Sequence, residues 1–261
     1  MSKIVYLLLA FCMVGAPASA QITPIIKNQL QSPDWEDREK AYKTLAEQKS
    51  PSPEAKKALI DLLQLEDAPE SYPPIPPELI GNKEYEGPLG WMDYVSRLME
   101  TVMQIVEREP RRQDALKALC DNHDYGVPSD ISDWFAKHGD QTANYFLAAA
   151  TGKITGLSAP HQAHAIEVLA QIIKWERTPG TAHRLNPSDV QLLDQAIRTE
   201  MDDSRHEVRQ SAIWALGTTG TSDDLALLDR IVTTGGQGGE DKDLAKSAAI
   251  VIRRRIATDK K

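Results

Sequence analysis

The chain has 261 residues, of which 30 are Lys or Arg and 38 are Asp or Glu, so its formal net charge is -8 at pH 7. Nucleic acids and anionic membrane surfaces attract proteins with clustered Lys and Arg, so this acidic composition disfavours both kinds of partner. A chain of this length can bury a sizeable hydrophobic core.

The N-terminus has the three parts of a secretory signal peptide. Lys3 supplies a positive charge, residues 4–14 form an apolar stretch, and Ala18 and Ala20 form a small-x-small cleavage site. The apolar stretch is shorter than the ~20 residues that a membrane-spanning helix needs. The pattern therefore favours a leader that is cleaved after Ala20.

We expect residues 1–20 to be removed and residues 21–261 to be exported to the periplasm or the outside of the cell, with no membrane insertion after cleavage. The alternatives are an uncleaved anchor and a lipoprotein attached through Cys12, although the large Phe11 argues against lipid attachment. Cleavage leaves Cys120 as the single cysteine, which excludes an internal disulfide. Its apolar neighbours predict a small buried side chain, with a reactive thiol or an intermolecular bridge as the alternative.

Apolar residues recur at spacings of three and four along the chain, which predicts amphipathic helices and few strands. Ser32 and Pro33 suit the cap and first position of a helix that contains Trp35. A break at residues 49–53 precedes a second helix, so the two helices form an antiparallel hairpin. The apolar positions of this pair are Ala41, Tyr42, Leu45, Ala55, Ala58, Leu59, Leu62 and Leu63.

The middle of the chain is less regular. Residues 66–90 contain six prolines and are predicted to be an inserted loop, since proline interrupts helices. The helices predicted beyond this loop span residues 90–109, 115–120, two pieces around Trp134 and Tyr145, 160–177 and 187–201.

The sequence pattern in the last third of the chain predicts a second hairpin and a final helix. Asp203 or Ser204 caps its first helix, residues 217–220 break that helix, and Thr221 or Ser222 caps the next. A glycine loop at residues 235–239 leads into a last helix over residues 241–256.

The two hairpins share a sequence pattern. Arg209, Ala212 and Leu216 match Arg38, Ala41 and Leu45 at a single offset of 171 residues. An Ala followed four residues later by a large aliphatic residue recurs at Ala165 and Leu169 and at Ala248 and Ile252. A small residue lets two helices approach closely, and the aliphatic one fills the layer between them.

Residues 203–217 resemble the HEAT-repeat family in their Asp203, Val208-Arg209, Ala212 and Ala-Leu-Gly ending. The resemblance is clearest over residues 200–257 and weaker over residues 32–66 and 160–200. In the first hairpin Asp37 replaces the expected Val, and the middle of the chain departs from the pattern. The resemblance implies an all-α, HEAT-like α-solenoid of stacked antiparallel helix pairs, in which residues 21–261 form one elongated domain. It also implies a concave face that binds another protein.

No catalytic, cofactor-binding or metal-binding residue is predicted. His161, His164 and Glu167 share the spacing of one helix face and could hold a metal. The repeat alignment, however, points His161 inward and leaves His164 more exposed. Asp121, His123 and Asp124 could form a cation site or an acid-base pair, or a polar turn.

Three further features favour structural roles. Residues 72–77, Tyr-Pro-Pro-Ile-Pro-Pro, could be read by a partner as polyproline II or act as a stiff spacer. The basic run at residues 253–255 points in three directions on a helix. The five tryptophans fall mostly on apolar stripes, which predicts core positions.

The sequence therefore predicts an exported HEAT-like protein-binding scaffold with no cofactor. An enzyme with its site among residues 67–157, and a structural component of an envelope assembly, are the alternatives. Some HEAT-like proteins are reported as bilin lyases or as enzymes of damaged DNA bases, and export and acidity argue against the second.

Overall fold

The computed structural model describes residues 22–48, 51–66, 87–122 and 129–258. These residues form twelve α-helices and one short 3-10 helix, with no strand among them, so the predicted all-α class is confirmed. Within the described residues no helix is both long and apolar enough to span a bilayer. The predicted signal peptide at residues 1–20 and almost all of the loop predicted at residues 66–90 lie outside the described part.

The chain divides into two compact units, Met1–Asn122 and His123–Lys261. The first contains α1 (Pro24–Leu30), α2 (Trp35–Ala46), α3 (Pro53–Glu66), α4 (Gly87–Arg108) and α5 (Gln113–Asp121). The second contains α6 (Ser129–Lys137), α7 (Gly139–Ala150), α8 (Ala159–Arg177), α9 (Pro187–Glu200), α10 (His206–Thr219), α11 (Leu225–Thr234) and α12 (Gly239–Thr258). A single domain over residues 21–261 stays a prediction.

The helix limits broadly follow the proline, glycine and capping signals of the sequence, with several differences. The N-cap of α10 is Arg205, without a side-chain cap bond, so the predicted cap at Asp203 or Ser204 is wrong, and α10 continues through Gly217 to Thr219. Helix α4 begins at Gly87, inside the loop predicted over residues 66–90. The seven-residue α1 was not predicted, because only Ile26 of this helix is buried and its apolar pattern is too short to detect. The cap of α2 is Asp34 and not Ser32, since the Asp34 carboxylate accepts a bond from Glu36 N–H while the Ser32 hydroxyl accepts one from Asp34 N–H.

The first unit is organised around a buried ion pair. Arg38 of α2 is 2% exposed and Glu66 of α3 is fully buried, and Arg38 Nε donates to Glu66 Oε1 at 2.5 Å. Trp91 Nε1 and Tyr94 OH, both from α4, donate to the same carboxylate at 2.9 and 3.0 Å. Burial and the adjacent Glu66 charge raise the pKa of Tyr94 above its ordinary value, so the phenol keeps the proton that it donates.

Arg38 also fastens the segment that precedes its own helix. Its Nη1 donates to the carbonyls of Ser32 and Pro33, each at 2.9 Å. The guanidinium therefore joins α2, α3 and the entry loop of α2. Because Arg38 is buried, removing the Glu66 carboxylate would leave an uncompensated charge in the core.

The second unit contains an equivalent clamp at the matching repeat position. Arg209 of α10 is 6% exposed, and its Nη1 donates to the carbonyls of Asp203 and Ser204 at 2.8 and 3.3 Å. Its Nε donates to the buried Asp241 of α12 at 2.7 Å. The two arginines thus bond the carbonyls six and five residues before them and a carboxylate from a later helix. The repeat alignment is confirmed at these atoms.

Helices α8, α10 and α12 pack in series, with α10 in the middle. Helix α9 packs against α8 and α10, and α11 packs against α12. The closest approach occurs at Gly217, where an added Cβ would lie 3.0 Å from Ala248 Cβ and 3.1 Å from its Cα. All the Ala and aliphatic residues of the repeat are buried, namely Ala41, Leu45, Ala165, Leu169, Ala212, Leu216, Ala248 and Ile252.

Cys120 is buried in α5 at 1% exposure, as its apolar neighbours predict. Burial raises the pKa of its thiol, so Cys120 is held in the unreactive protonated form. This environment favours the structural interpretation over a reactive thiol.

The first testable consequence concerns the Arg38 clamp. We expect Glu66→Ala to lower the free energy of unfolding by about 3–5 kcal/mol. The change leaves the buried Arg38 guanidinium without its counter-charge and the Trp91 and Tyr94 donors without their acceptor. Urea denaturation followed by circular dichroism measures the change. Asp61→Ala is the matched control on α3. Among the described residues Asp61 pairs with exposed Lys57 alone, so this change should cost under about 0.5 kcal/mol. Similar losses in the two variants would contradict the role given to Glu66.

A second consequence concerns the contact between α10 and α12. Alanine ordinarily favours a helix over glycine, yet we expect Gly217→Ala to destabilise the protein by about 1–3 kcal/mol, because the new methyl meets the Ala248 backbone. Gly239→Ala is the control, since a Cβ there meets no atom within 4 Å. Thermal unfolding compares the two, and a stabilised Gly217→Ala variant would show that the helices can separate freely.

Candidate interaction surface

The structure does not assemble the histidine site considered in the sequence. Among the described residues no group of three or more His, Cys, Asp or Glu side chains could hold a metal ion. His161 and His164 are both half-buried, so the expected inward direction of His161 is wrong. The reason is that His161 lies in the first turn of α8, where its Nδ1 is 2.7 Å from the Oγ of the cap residue Ser158. Glu167 instead accepts a bond from Ser211 at 2.8 Å.

The other considered sites lie largely outside the described residues. His123 and Asp124 are not described, whereas Asp121 forms an ion pair with Lys117 on the preceding turn of α5. Residues 72–77 are also outside the described part. An enzyme site among residues 67–157 stays a prediction.

The tryptophans are less uniformly buried than expected. Trp91 and Trp134 are core residues, Trp35 and Trp175 are half-buried, and Trp214 is 39% exposed. An exposed indole is a frequent anchor in protein interfaces, so this departure from the predicted core draws attention to the surface around it.

A groove that we call the α10 groove lies at the C-terminal ends of α8, α10 and α12. It encloses about 900 Å³. It is lined by Lys174, Arg177, Thr178, Pro179, Thr218, Thr219, Gly220, Thr221, Ser222, Val251, Arg255 and Ile256. Three of these residues are cationic and none is acidic. Trp214 is not among the lining residues, but it precedes the lining residue Thr218 by one helical turn on the same face of α10.

Two arginines hold the end of α10 in the floor of the groove. Arg177 of α8 donates through Nη1 to the carbonyl of Thr219 at 2.6 Å. Arg255 of α12 donates to the carbonyls of Thr218 and Gly220. The last carbonyls of a helix lack partners within the helix and carry its negative dipole end, so both guanidinium groups stabilise this terminus.

Behind the floor, acidic and basic side chains alternate. Arg177 pairs with Asp194 of α9, and Arg198 lies 3.4 Å from the same carboxylate. Arg198 then bonds Asp224 with Nε at 2.7 Å and Nη2 at 3.0 Å. This network ties α8, α9 and the 3-10 turn Ser222–Asp224 together, so the groove lies on a fixed support.

Asp224 also closes the turn that follows α10. Its Oδ2 accepts Thr221 N–H at 2.7 Å, which makes a capping box with Thr221 at the start of the 3-10 turn Ser222–Asp224. The predicted cap at Thr221 or Ser222 is therefore displaced, because Thr221 caps this turn and the N-cap of α11 itself is Asp224. Burial by itself would raise the pKa of Asp224. The bonds from Arg198 and Thr221 outweigh burial and hold that pKa below its ordinary value.

The three consecutive arginines of α12 point in different directions, as expected. Arg253 pairs with Asp229 of α11, Arg254 is exposed, and Arg255 enters the groove. Sequence reasoning dismissed this run as a whole, and so missed Arg255. Its partners are 35 and 37 residues away, and no local pattern shows which helices flank α10.

A second groove lies in the first unit between α1 and α3 and encloses about 880 Å³. Its apolar floor includes Leu62 and the 41% exposed Leu65. Its rim carries Lys57 paired with Asp61, so the two charges largely cancel. The α10 groove combines an apolar wall with an excess of one charge sign, which is a more selective surface.

A prediction follows for the support of the groove. Because the pKa of Asp224 is lower in the folded protein, its ionisation stabilises the fold above the unfolded value near ~3.9, and this stabilisation is lost as the pH falls through the folded pKa. We expect Asp224→Asn to lower the free energy of unfolding at neutral pH by about 1.5–3 kcal/mol. The difference from the unsubstituted protein should shrink below about pH 3.

Urea titrations at the two pH values test this dependence. Asp223→Asn is the matched control, since this exposed neighbour should change stability by less than about 0.5 kcal/mol at either pH. A deficit in Asp224→Asn that persists unchanged in acid would show that its ionic bonds contribute little.

Comparison with known proteins does not supply an identity. No protein-family model matches the chain, and neither does any curated protein or solved structure. The HEAT-like pattern of residues 203–217 therefore remains a resemblance that the chain's own residues carry.

Proposed function

We propose that this chain is an exported HEAT-like repeat protein that binds another protein through the α10 groove and Trp214. The observation that carries the proposal is an accessible groove with exposed apolar side chains on a fixed support. Val251 is 48% exposed in its wall, and Trp214, one helical turn before Thr218, is 39% exposed. Exposed apolar groups arranged next to each other and rimmed by polar residues are typical of protein interfaces.

The packing order supports a solenoid of stacked pairs. Helices α8, α10 and α12 follow one another, while α9 and α11 pack against them. The clamps of Arg38 and Arg209 repeat the same contacts in both units. In such folds each pair buries its apolar face against its neighbours, and the remaining surface binds partners. The step from this fold to protein binding rests on analogy, and the groove gives it a location.

Quantitative affinity capture tests the proposal. The purified protein serves as bait for the periplasmic and secreted fractions of the cells that make it, and mass spectrometry identifies what is retained. We expect at least one protein to be captured by the unsubstituted bait and to be reduced about tenfold with Val251→Asp, because a carboxylate cannot replace the buried methyl contacts of an interface.

Leu192→Asp is the matched control. Leu192 of α9 is 52% exposed, outside the groove and in the same unit, so this bait should retain the partner. Trp214→Ala should weaken capture in the same direction as Val251→Asp. A set of captured proteins that is identical for Val251→Asp and the unsubstituted bait would contradict the proposed surface.

A further inference from the structure

The α10 groove concentrates positive charge in an acidic chain. Lys174 and Arg177 lie three residues apart on one face of α8, and Arg255 approaches from α12. The lining contains no Asp or Glu, although acids outnumber bases by eight over the whole chain. We propose, on the basis of the function above, that the partner presents an acidic peptide segment, with carboxylates against these cations and aliphatic side chains against Val251 and Ile256.

The first support is the spacing of the two guanidinium groups. Arg177 and Arg255 bond three consecutive carbonyls, those of Thr218, Thr219 and Gly220. Consecutive Cα atoms are about 3.8 Å apart, so the carbonyls hold the two guanidinium groups within roughly 10 Å of each other. Asp194 offsets the charge of Arg177 from behind the groove, whereas Arg255 and Lys174 have no such carboxylate among the described residues. An anion that enters the groove therefore gains attraction from Arg255 and Lys174.

The second support is the number of donors that remain. A guanidinium has five N–H groups, and the bonds to the α10 carbonyls use two of those on Arg255. Of the three cations, only Arg177 forms an ion pair within the described residues, with Asp194, a carboxylate that Arg198 also approaches. Capping of α10 explains the two arginines, but it gives no reason for the exposed Lys174 beside them.

The apolar wall distinguishes a peptide from a free anion. Val251 and Ile256 of α12 and Pro179 provide aliphatic surface next to the cations. A phosphate group makes no use of such a surface, whereas a segment that mixes Asp or Glu with Leu, Ile or Val contacts both. The net charge of the chain also opposes nucleic acid.

Selection from a random displayed-peptide library tests the proposal. The purified protein is the target, and we expect the retained peptides to be enriched in acidic and aliphatic residues together. Fluorescence anisotropy of the most enriched peptide then measures Kd. We expect Lys174→Glu to weaken binding about tenfold, since it reverses a charge that faces a carboxylate, and higher salt to weaken binding of the unsubstituted protein.

Two variants act as controls. Lys153→Glu makes the same change of net charge at an exposed turn between α7 and α8, and should alter Kd less than about twofold. Lys174→Arg keeps the charge and should keep the affinity. Circular dichroism checks that each variant is folded, and competition with inorganic phosphate should leave peptide binding largely intact.

The outcomes separate the two proposals. Retained peptides that lack acidic residues, yet are lost with Val251→Asp, would overturn the acidic partner and keep the groove as a binding site. Acidic peptides whose Kd is equal for Lys174→Glu and Lys153→Glu, or that phosphate displaces fully, would also overturn it. If no peptide is enriched and the capture experiment finds no partner that depends on Val251, both proposals fail.

Discussion

A guanidinium group that is taken out of water needs its counter-charge inside the protein, and each unit contains one such buried group. Arg38 and Arg209 each join an entry loop, their own helix and a carboxylate from a later helix. Few other arrangements of these segments are favourable, because moving any of the bonded groups would leave a buried charge without its partner. The Ala and aliphatic residues of the repeat then pack between the helices that these arginine bonds join.

The clamp of Arg209 also determines what the α10 groove can present. By bonding Asp241 at the start of α12, it fixes one end of that helix against α10, and Gly217 fixes the close contact with Ala248 further along. The far end of α12 then places Val251 and Arg255 beside the end of α10. Both side chains are positioned by helices and not by a loop, so the proposed partner would meet a groove that is already formed, and little conformational freedom would be lost on binding.

Most of the fold could be predicted from the sequence, because its signals are local. Proline, glycine and capping residues mark helix ends, and the match of Arg209 to Arg38 identifies equivalent buried atoms in two hairpins. The short α1 was not predicted from the sequence, because a single buried residue makes no periodic pattern. The groove could not be predicted, since Arg177 and Arg255 meet only when α8 and α12 flank α10. Trp214 was assigned to the core because periodicity shows which residues share a face, but not which face is covered.

The clamps have a consequence for the order in which the chain can fold. Glu66 follows Arg38 by 28 residues and Asp241 follows Arg209 by 32. While the chain is being made, each arginine therefore emerges well before its counter-ion, and burial in that interval would place a lone charge in an apolar environment. Docking of α2 or α10 is unfavourable until the downstream carboxylate is available. The buried charge thus favours docking of α2 and α10 only after the acidic partner of each arginine has been synthesised.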